Sequence, residues 1–548
     1  MVDTKEQTAT ASSAIASNHG EDFHYVRRGS IVTGTAADPD IEGYDAERMR
    51  ARALLSAEEE KKLLRNIDWR LMTLCSIMFL LKNIDADNVS NARVMNKGSP
   101  TNIMNQLGMT SNEYNLVTTL YYVPYIVAEA PSNLLIKKLL PSRWQSRIMV
   151  TWGIALACHA AVTNKEGLYV ARFFLGLFEA GLFPGVILQM CYWYRPDEMS
   201  VRLLYFYILG NLSGVVSGLL AFAFSHLDGA HGLSGWQWIF LVEGIITIAF
   251  GITVYWIFPD FPPQAKWLTE KEKAFIQARL PGNAPQAAEM NFNWREIVES
   301  LKDIRLWVFT LIWALFTIGT SGVRFYQPTV IADLGYTDIA SAQLLNLPIS
   351  IFSIIVIGIT GASADNGRLP RPLYPLSFLI VILACNGLTS AWYPMMWPWR
   401  VQTTSKATGS AFSIGFVNSY GQIGGAIGPH LFQSRYAPHY GVSFGIAMSF
   451  VSACILTTLG TWWMTRKSEQ DTRRLKLARV KAQKRGETVL DDVVDNDLRK
   501  PVKGGSNSDD SADDAKNQKI KDLLFGPFLE ADVAEDTVME KQWLEVLE

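Results

Sequence analysis

The sequence predicts an all-α membrane protein of two helical halves with both termini cytoplasmic. Three observations carry this. Apolar stretches recur along the middle of the chain, the loops between them alternate between basic and base-poor, and ionisable residues lie inside some of the apolar stretches. A helix needs about 20 mostly apolar residues to cross the hydrocarbon core, and loops rich in Lys and Arg stay on the cytoplasmic side.

Residues 1–55 read as a disordered cytoplasmic tail, polar and without periodicity. They lack the apolar core of a cleaved signal peptide, so the first span is expected to act as its own insertion signal. Ser56 and Glu59 have capping-box spacing ahead of EKKLLRNIDWR, which predicts a surface helix leading into the membrane. Six spans follow, at 71–90, 114–136, 146–163, 168–193, 203–225 and 237–258, giving an N-terminal half over 56–258. A polar cytoplasmic loop covers 259–304, with a second capping box at Thr269 and Glu272. Spans at 306–327, 341–362, 373–397, 408–432 and 442–465 make a C-terminal half over 305–465, and 466–548 is a second solvated cytoplasmic tail.

Loop charges set the orientation. Lys137, Lys138, Arg143 and Arg147 mark one cytoplasmic loop, Arg195 and Arg202 a second, Arg368 and Arg371 a third, Arg400 and Lys406 a fourth. Two cytoplasmic ends require an even number of crossings, yet about eleven spans are clear. Only 372–399 separates the last two basic loops, too little for a helix pair, which needs roughly 40 residues. The second half is one helix short. Either this segment re-enters as a short hairpin, or a helix was lost by deletion or a wrong exon boundary, and the loss is the favoured reading.

The bulk numbers exclude other classes. Charged residues are 19% of 548, below the roughly 25% of soluble domains. A net charge of −2 offers nucleic acid no basic footprint. Cys75, Cys158, Cys191, Cys385 and Cys454 are scattered without CxxC spacing, and no His spacing suits a ligand set, so neither metal nor cofactor is expected. No nucleophile–base or nucleotide motif suggests an enzyme.

The stretch YVARFFLGLFEAGLFPGVILQM (169–190) holds Arg172 and Glu179. An ionised side chain at mid-membrane costs roughly 3 kcal/mol on insertion scales, so such residues mark function. On one continuous helix the two share a face, about 10 Å apart along the axis. That is too far for an ion pair, so each needs a partner from another helix or a ligand. Asp85 and Asp87 lie in the first span, where Lys82 has the spacing of a local ion pair with Asp85. Glu129 lies in the second span beside Pro131, as a membrane acid or an interfacial group near Lys137 and Lys138. Glu243 sits at the middle of the sixth. Arg324 follows the small-residue cluster Gly319, Ser321 and Gly322 in the seventh. Its planar fork suits a carboxylate, and the alternative is snorkelling to the interface. Tyr121, Tyr122 and Tyr125 line a cavity or anchor an interface. The runs GNLSGVVSG (210–218) and GQIGGAIGP (421–429) fit close helix packing at corresponding positions of the two halves.

Motifs carry a family resemblance over about 60–470. ADNGR (364–368), preceded by Gly361, resembles the cytoplasmic loop signature of the major facilitator superfamily, with Asp365 and Arg368 at its acid and base. ARFFLGLFEAGLFPG (171–185) resembles the fourth-helix signature, with Arg172 at the arginine position. NVSNAR (88–93), YYVPYIVAEAPSNLLIKK (121–138), PSRW (141–144), GLSGWQWIFLVEG (232–244) and FPDFPPQAKWLTEKEK (258–273) are similar to the fungal allantoate permease group of the anion:cation symporters. The resemblance implies two six-helix halves and a secondary transporter, monomeric, in the plasma membrane. It implies a small organic anion, a vitamin or nitrogen-metabolite carboxylate, taken up with protons by alternating access. Arg172 would couple proton movement or neutralise the anion, unless it forms a structural ion pair, and Glu179 is a candidate proton carrier. Export of a fungal secondary metabolite is the alternative, and a non-transporting nutrient sensor a more distant one. The loop PSNLLIKKLLPSRW lacks the acid of the general signature, and the missing helix falls where the family's tenth helix belongs.

Overall fold

A computed structural model describes residues 25–28, 46–281, 293–333, 351, 354–355, 393–401, 407–436 and 440–490. The first elements are a short strand, β1 (Tyr25–Arg27), and helices α1 (Ala46–Arg52) and α2 (Ala57–Ile67). The predicted capping box starts α2: Ser56 Oγ accepts the Glu59 N–H at 3.2 Å, and Glu59 accepts the Ser56 N–H at 2.8 Å. A π-helical turn, Asp68–Met72, carries α2 without interruption into α3 (Thr73–Val94), the first span.

After α4 (Ile103–Gln106) the first half continues with α5 (Ser111–Leu139), α6 (Pro141–Cys158), α7 (Lys165–Glu179), α8 (Leu182–Trp193), α9 (Met199–Asn211), α10 (Ser213–Ser225) and α11 (Gly235–Ile257). Each of the six predicted spans is helical, but the fourth is not the continuous helix expected. It stops at Glu179 and restarts at Leu182. Gly181 makes the break with φ +99°, in the left-handed region that glycine enters freely. A Cβ there would also collide with the Ser132 side chain.

The central loop carries α12 (Glu270–Arg279), begun by the Thr269–Glu272 box, and α13 (Trp294–Lys302). The second half contains α14 (Ile304–Asp333), α15 (Tyr393–Val401), α16 (Ala407–Gly421), α17 (Ile423–Ile427) and α18 (Gly441–Arg485), followed by β2 (Glu487–Val489). Glu296 of α13 accepts the Thr408 and Gly409 N–H groups, both at 3.1 Å, and so caps α16 from outside it. The predicted span 341–362, most of 373–397, the motif residues Gly361, Asp365 and Arg368, and Cys385 lie outside the described residues. The other four cysteines are free thiols.

Five described stretches are long and apolar enough to cross a membrane: Lys165–Trp193, Met199–Ser225, Gly235–Ile257, Ile304–Val330 and Gly441–Arg485. The helices of the first and second spans, α3 and α5, are less apolar because they carry Lys82, Asp85, Asp87 and Glu129.

The tails depart from the expected disorder. β1 pairs antiparallel with β2, Tyr25 against Val489 and Arg27 against Glu487. Arg52, 2% exposed, donates to the carbonyls of Ala278 at 2.7 Å and Leu280 at 3.3 Å and to that of Leu490. The first two lie at the end of α12, where a helix leaves carbonyls unpaired. These partners are 226 or more residues away, so no local pattern announces them. Glu60 is buried among Arg279, Arg195 and Arg28. Burial raises its pKa, and the three guanidinium groups outweigh that and hold it down at about 2.

The small-residue runs are where the helices close. A Cβ on Gly421 would enter the Trp313 indole, and one on Gly425 the Tyr122 ring, whereas Gly460 of α18 faces open space. Gly421→Leu is therefore expected to lower the melting temperature by roughly 5 °C or more through overpacking. Gly460→Ala should leave it unchanged or raise it. A thermal melt of the purified chain in detergent measures both.

Candidate functional site

The polar residues of α3 organise the centre of the molecule. Lys82 does not pair with Asp85 as its spacing suggests. It reaches α7, where its ammonium lies 3.0 Å from the Glu179 carboxylate. Glu179 is the last residue of α7 and 2% exposed, so its charge sits at the broken end of the helix. The unpaired carbonyls of such an end carry partial negative charge, which also favours a cation there. Lys82 further lies 5.7 Å from the centre of the Tyr125 ring. Tyr121, Tyr122 and Tyr125 cluster beside it, with ring centres 4.8–6.3 Å apart. They line the interior rather than an interface: Tyr121 and Tyr125 are buried.

Asp85, freed from Lys82, faces Glu243 of α11. The Asn88 amide donates to the same Glu243. Asp85 and Glu243 are 3% and 4% exposed, two carboxyls side by side with little water. One proton between such a pair replaces repulsion with a hydrogen bond.

Arg172 is buried on the same helix as Glu179 but does not meet an acid. Its guanidinium stacks 5.1 Å from the Phe240 ring of α11, and its Nε has no hydrogen-bond partner. Among the described residues no salt bridge to Arg172 forms, and the contact it makes is a cation–π one rather than the alternative structural ion pair.

Arg324 of α14 joins the halves. Its Nε and Nη2 both donate to Asp87 Oδ1, at 3.0 and 2.7 Å. Ser213 of α10 donates to the other oxygen of Asp87 at 2.9 Å. The Arg324 side chain is 50% exposed and that of Asp87 14%, so the guanidinium is reachable while its partner is held.

Two further layers link the halves. On the side away from the tails, Arg93 stacks 4.3 Å from the Tyr326 ring, Tyr326 donates to Asn115 at 2.9 Å, and Asn115 donates to the Pro429 carbonyl at 3.2 Å. Toward the tails, Asn418 donates to Glu129 and Asn133 to the Ala411 carbonyl at 2.6 Å. Glu129 is wholly buried and turned to the opposite half, away from an interfacial role near Lys137 and Lys138. Arg93, Asn115, Asn418 and the Lys82–Glu179 pairing escaped sequence reasoning. The one local signal was the density of polar residues in NVSNAR.

The fold has known counterparts. The family model described as Major Facilitator Superfamily matches residues 98–429. The MFS transporter prlL of a fungal species (strain NRRL 50135) is 28% identical over 79% of this chain and 93% of its own length. NicT of Pseudomonas putida is 32% identical over 60% of this chain and 73% of its own. The xylose transporter XylE of E. coli, in a partially occluded inward-open conformation, aligns with a TM-score of 0.51 at 13% identity, covering 72% of this chain and 98% of that one. That likeness is of fold. The family and these relatives are transporters, not enzymes.

A double-mutant cycle on Lys82 and Glu179 tests the central pair. Lys82→Met leaves a buried carboxylate unpaired and should cost about 3 kcal/mol, read as a lowered melting temperature. Adding Glu179→Gln should restore most of the loss, whereas additive effects contradict the pairing.

Proposed function

Because this chain belongs to the Major Facilitator Superfamily, we propose that it is a secondary active transporter that takes up a small organic anion with protons by alternating access. The single observation that carries this reading is Arg324, half-exposed and held by both nitrogens on one oxygen of Asp87 across the two halves. A substrate carboxylate arriving in the cavity competes with Asp87 for that fork. The exchange loosens one contact between the halves and so couples binding to their rocking. Glu179 and the Asp85–Glu243 pair would supply exchangeable protons, and Tyr122 lies within electrostatic reach of both Arg324 and Lys82. Arg172, stacked rather than ion-paired, adds positive charge to the cavity.

The substrate in this reading is a small monocarboxylate, a vitamin or nitrogen metabolite, in line with the motifs similar to the fungal allantoate permease group. The protein is a monomer of the plasma membrane with both termini cytoplasmic. Its halves span 56–258 and 305–465, joined by the loop 259–304, and the loop motif Gly361, Asp365 and Arg368 clamps neighbouring helices in one state through its acid and base. The β1–β2 pairing supports tails on one face and hence an even number of crossings.

The test is uptake of a panel of radiolabelled small monocarboxylates into proteoliposomes with an inward proton gradient. For the monocarboxylate that accumulates, Arg324→Ala in an Asp87→Asn background, which leaves no unpaired acid, should raise KM at least ~10-fold, the loss of a charged hydrogen-bonding fork. An unchanged KM would remove Arg324 from the site.

A further inference from the structure

The two tails build a structure at the membrane surface that the transport reading does not use. Helix α18 has 45 residues, about 68 Å at 1.5 Å per residue, of which the span uses 442–465. The remainder projects from the second half and lies against the first. Arg479 on this extension holds Asp197, in the turn between α8 and α9, at 2.8 Å. The side chain of Asp197 is 8% exposed and that of Arg479 15%.

The chain then doubles back at Gly486 (φ +73°) into β2, which β1 clasps. Arg28 N–H donates to the Gly486 carbonyl at 3.2 Å. Hydrogen-bonded pairs alternate along an antiparallel ladder, so Val26 and Thr488 exchange the next pair of bonds. Leu475, Ala478, Ala482 and Val489 pack with Tyr25 as a small separate core. Arg28 turns back to Glu60 at 2.6 Å, fixing the clasp to α2 and through it to the first span. These segments border a half-open pocket of about 460 Å³, lined among others by Arg28, Glu60, Asp197, Arg202, Arg479 and Thr488.

The extension continues the last span of the second half, and the anchors described above, Asp197, Tyr25, Arg28 and Arg52, belong to the first half or its tail. Rocking the halves apart on this face separates Arg479 from Asp197 by more than an ion pair tolerates. We propose that the α18 extension and the β1–β2 clasp form a latch that holds the tail-bearing face shut, so that this face opens only when the latch releases. The proposal rests on alternating access, but its test needs no substrate.

Ala411 is fully buried on α16 and its carbonyl accepts from Asn133 of α5, one turn inside the tail-bearing end. In the full chain carrying Ala411→Cys, alkylation by a membrane-impermeant maleimide is followed by peptide-resolved mass spectrometry. Arg479→Ala and Thr488→Pro, which removes a ladder donor, should each speed labelling of position 411 about tenfold, while buried Cys75 stays unlabelled. Lys481→Ala, on the exposed face of the same helix, should not change the rate. Labelling of position 411 no faster in Arg479→Ala and Thr488→Pro than in the parent overturns the latch. So does equal acceleration by Lys481→Ala.

Discussion

A charge buried between membrane helices must find a partner, and that requirement organises this molecule. Among the described residues Lys82–Glu179 meets it in the interior, and Arg324–Asp87 meets it with the guanidinium half-exposed. Breaking a buried pair by removing one partner costs roughly 3–5 kcal/mol. The first helix supplies one member of each, so it is tied to the fourth helix on one side and to the seventh, in the opposite half, on the other. The remaining polar residues fall into place around these ties: Asp85, left without Lys82, turns to Glu243, and Arg172, which meets no acid among the described residues, stacks on Phe240. Under the proposed function, gain or loss of a proton or a substrate carboxylate at these groups would shift the balance between helix arrangements, as a coupled transporter requires.

Backbone freedom makes the pairs possible. The fourth span is interrupted at Gly181, so Glu179 ends a half-helix at mid-span instead of continuing through a uniform one. Interrupted helices are tolerated in a membrane where the freed backbone is buried in protein or lines a cavity. The second small-residue run repeats the device: α16 gives way to α17 at Gln422, where Gly421 and Gly425 bring the backbone against Trp313 and Tyr122. These breaks flank the site from opposite halves.

What the sequence made legible was local. Span positions follow from runs of apolar residues, and both capping boxes follow from residues three apart, as Ser56–Glu59 and Thr269–Glu272 show. The residues of the site were also visible, because an ionisable group in an apolar run stands out. Their partners were not. Lys82 sits three residues from Asp85 and 97 from Glu179, and the three-residue spacing was misleading because α7 delivers a carboxylate to the same ammonium. The break at Gly181 was carried by EAGLFPG but hidden by the length of the surrounding apolar stretch. The clasped tails were missed for the same reason as the pairs: Arg52 and Arg28 act on carbonyls and acids far along the chain.

The central claim is that buried acids paired across helices couple protons to a carboxylate. It is tested most directly by proton flux into proteoliposomes, read with an entrapped pH dye as a small monocarboxylate that the chain transports is added without an imposed gradient. Wild type should acidify the lumen as the anion enters. Glu179→Gln, which fixes that group in a neutral form, should exchange the carboxylate across the bilayer yet acidify far less. Full acidification by Glu179→Gln, or anion entry by wild type with no acidification, would contradict the account.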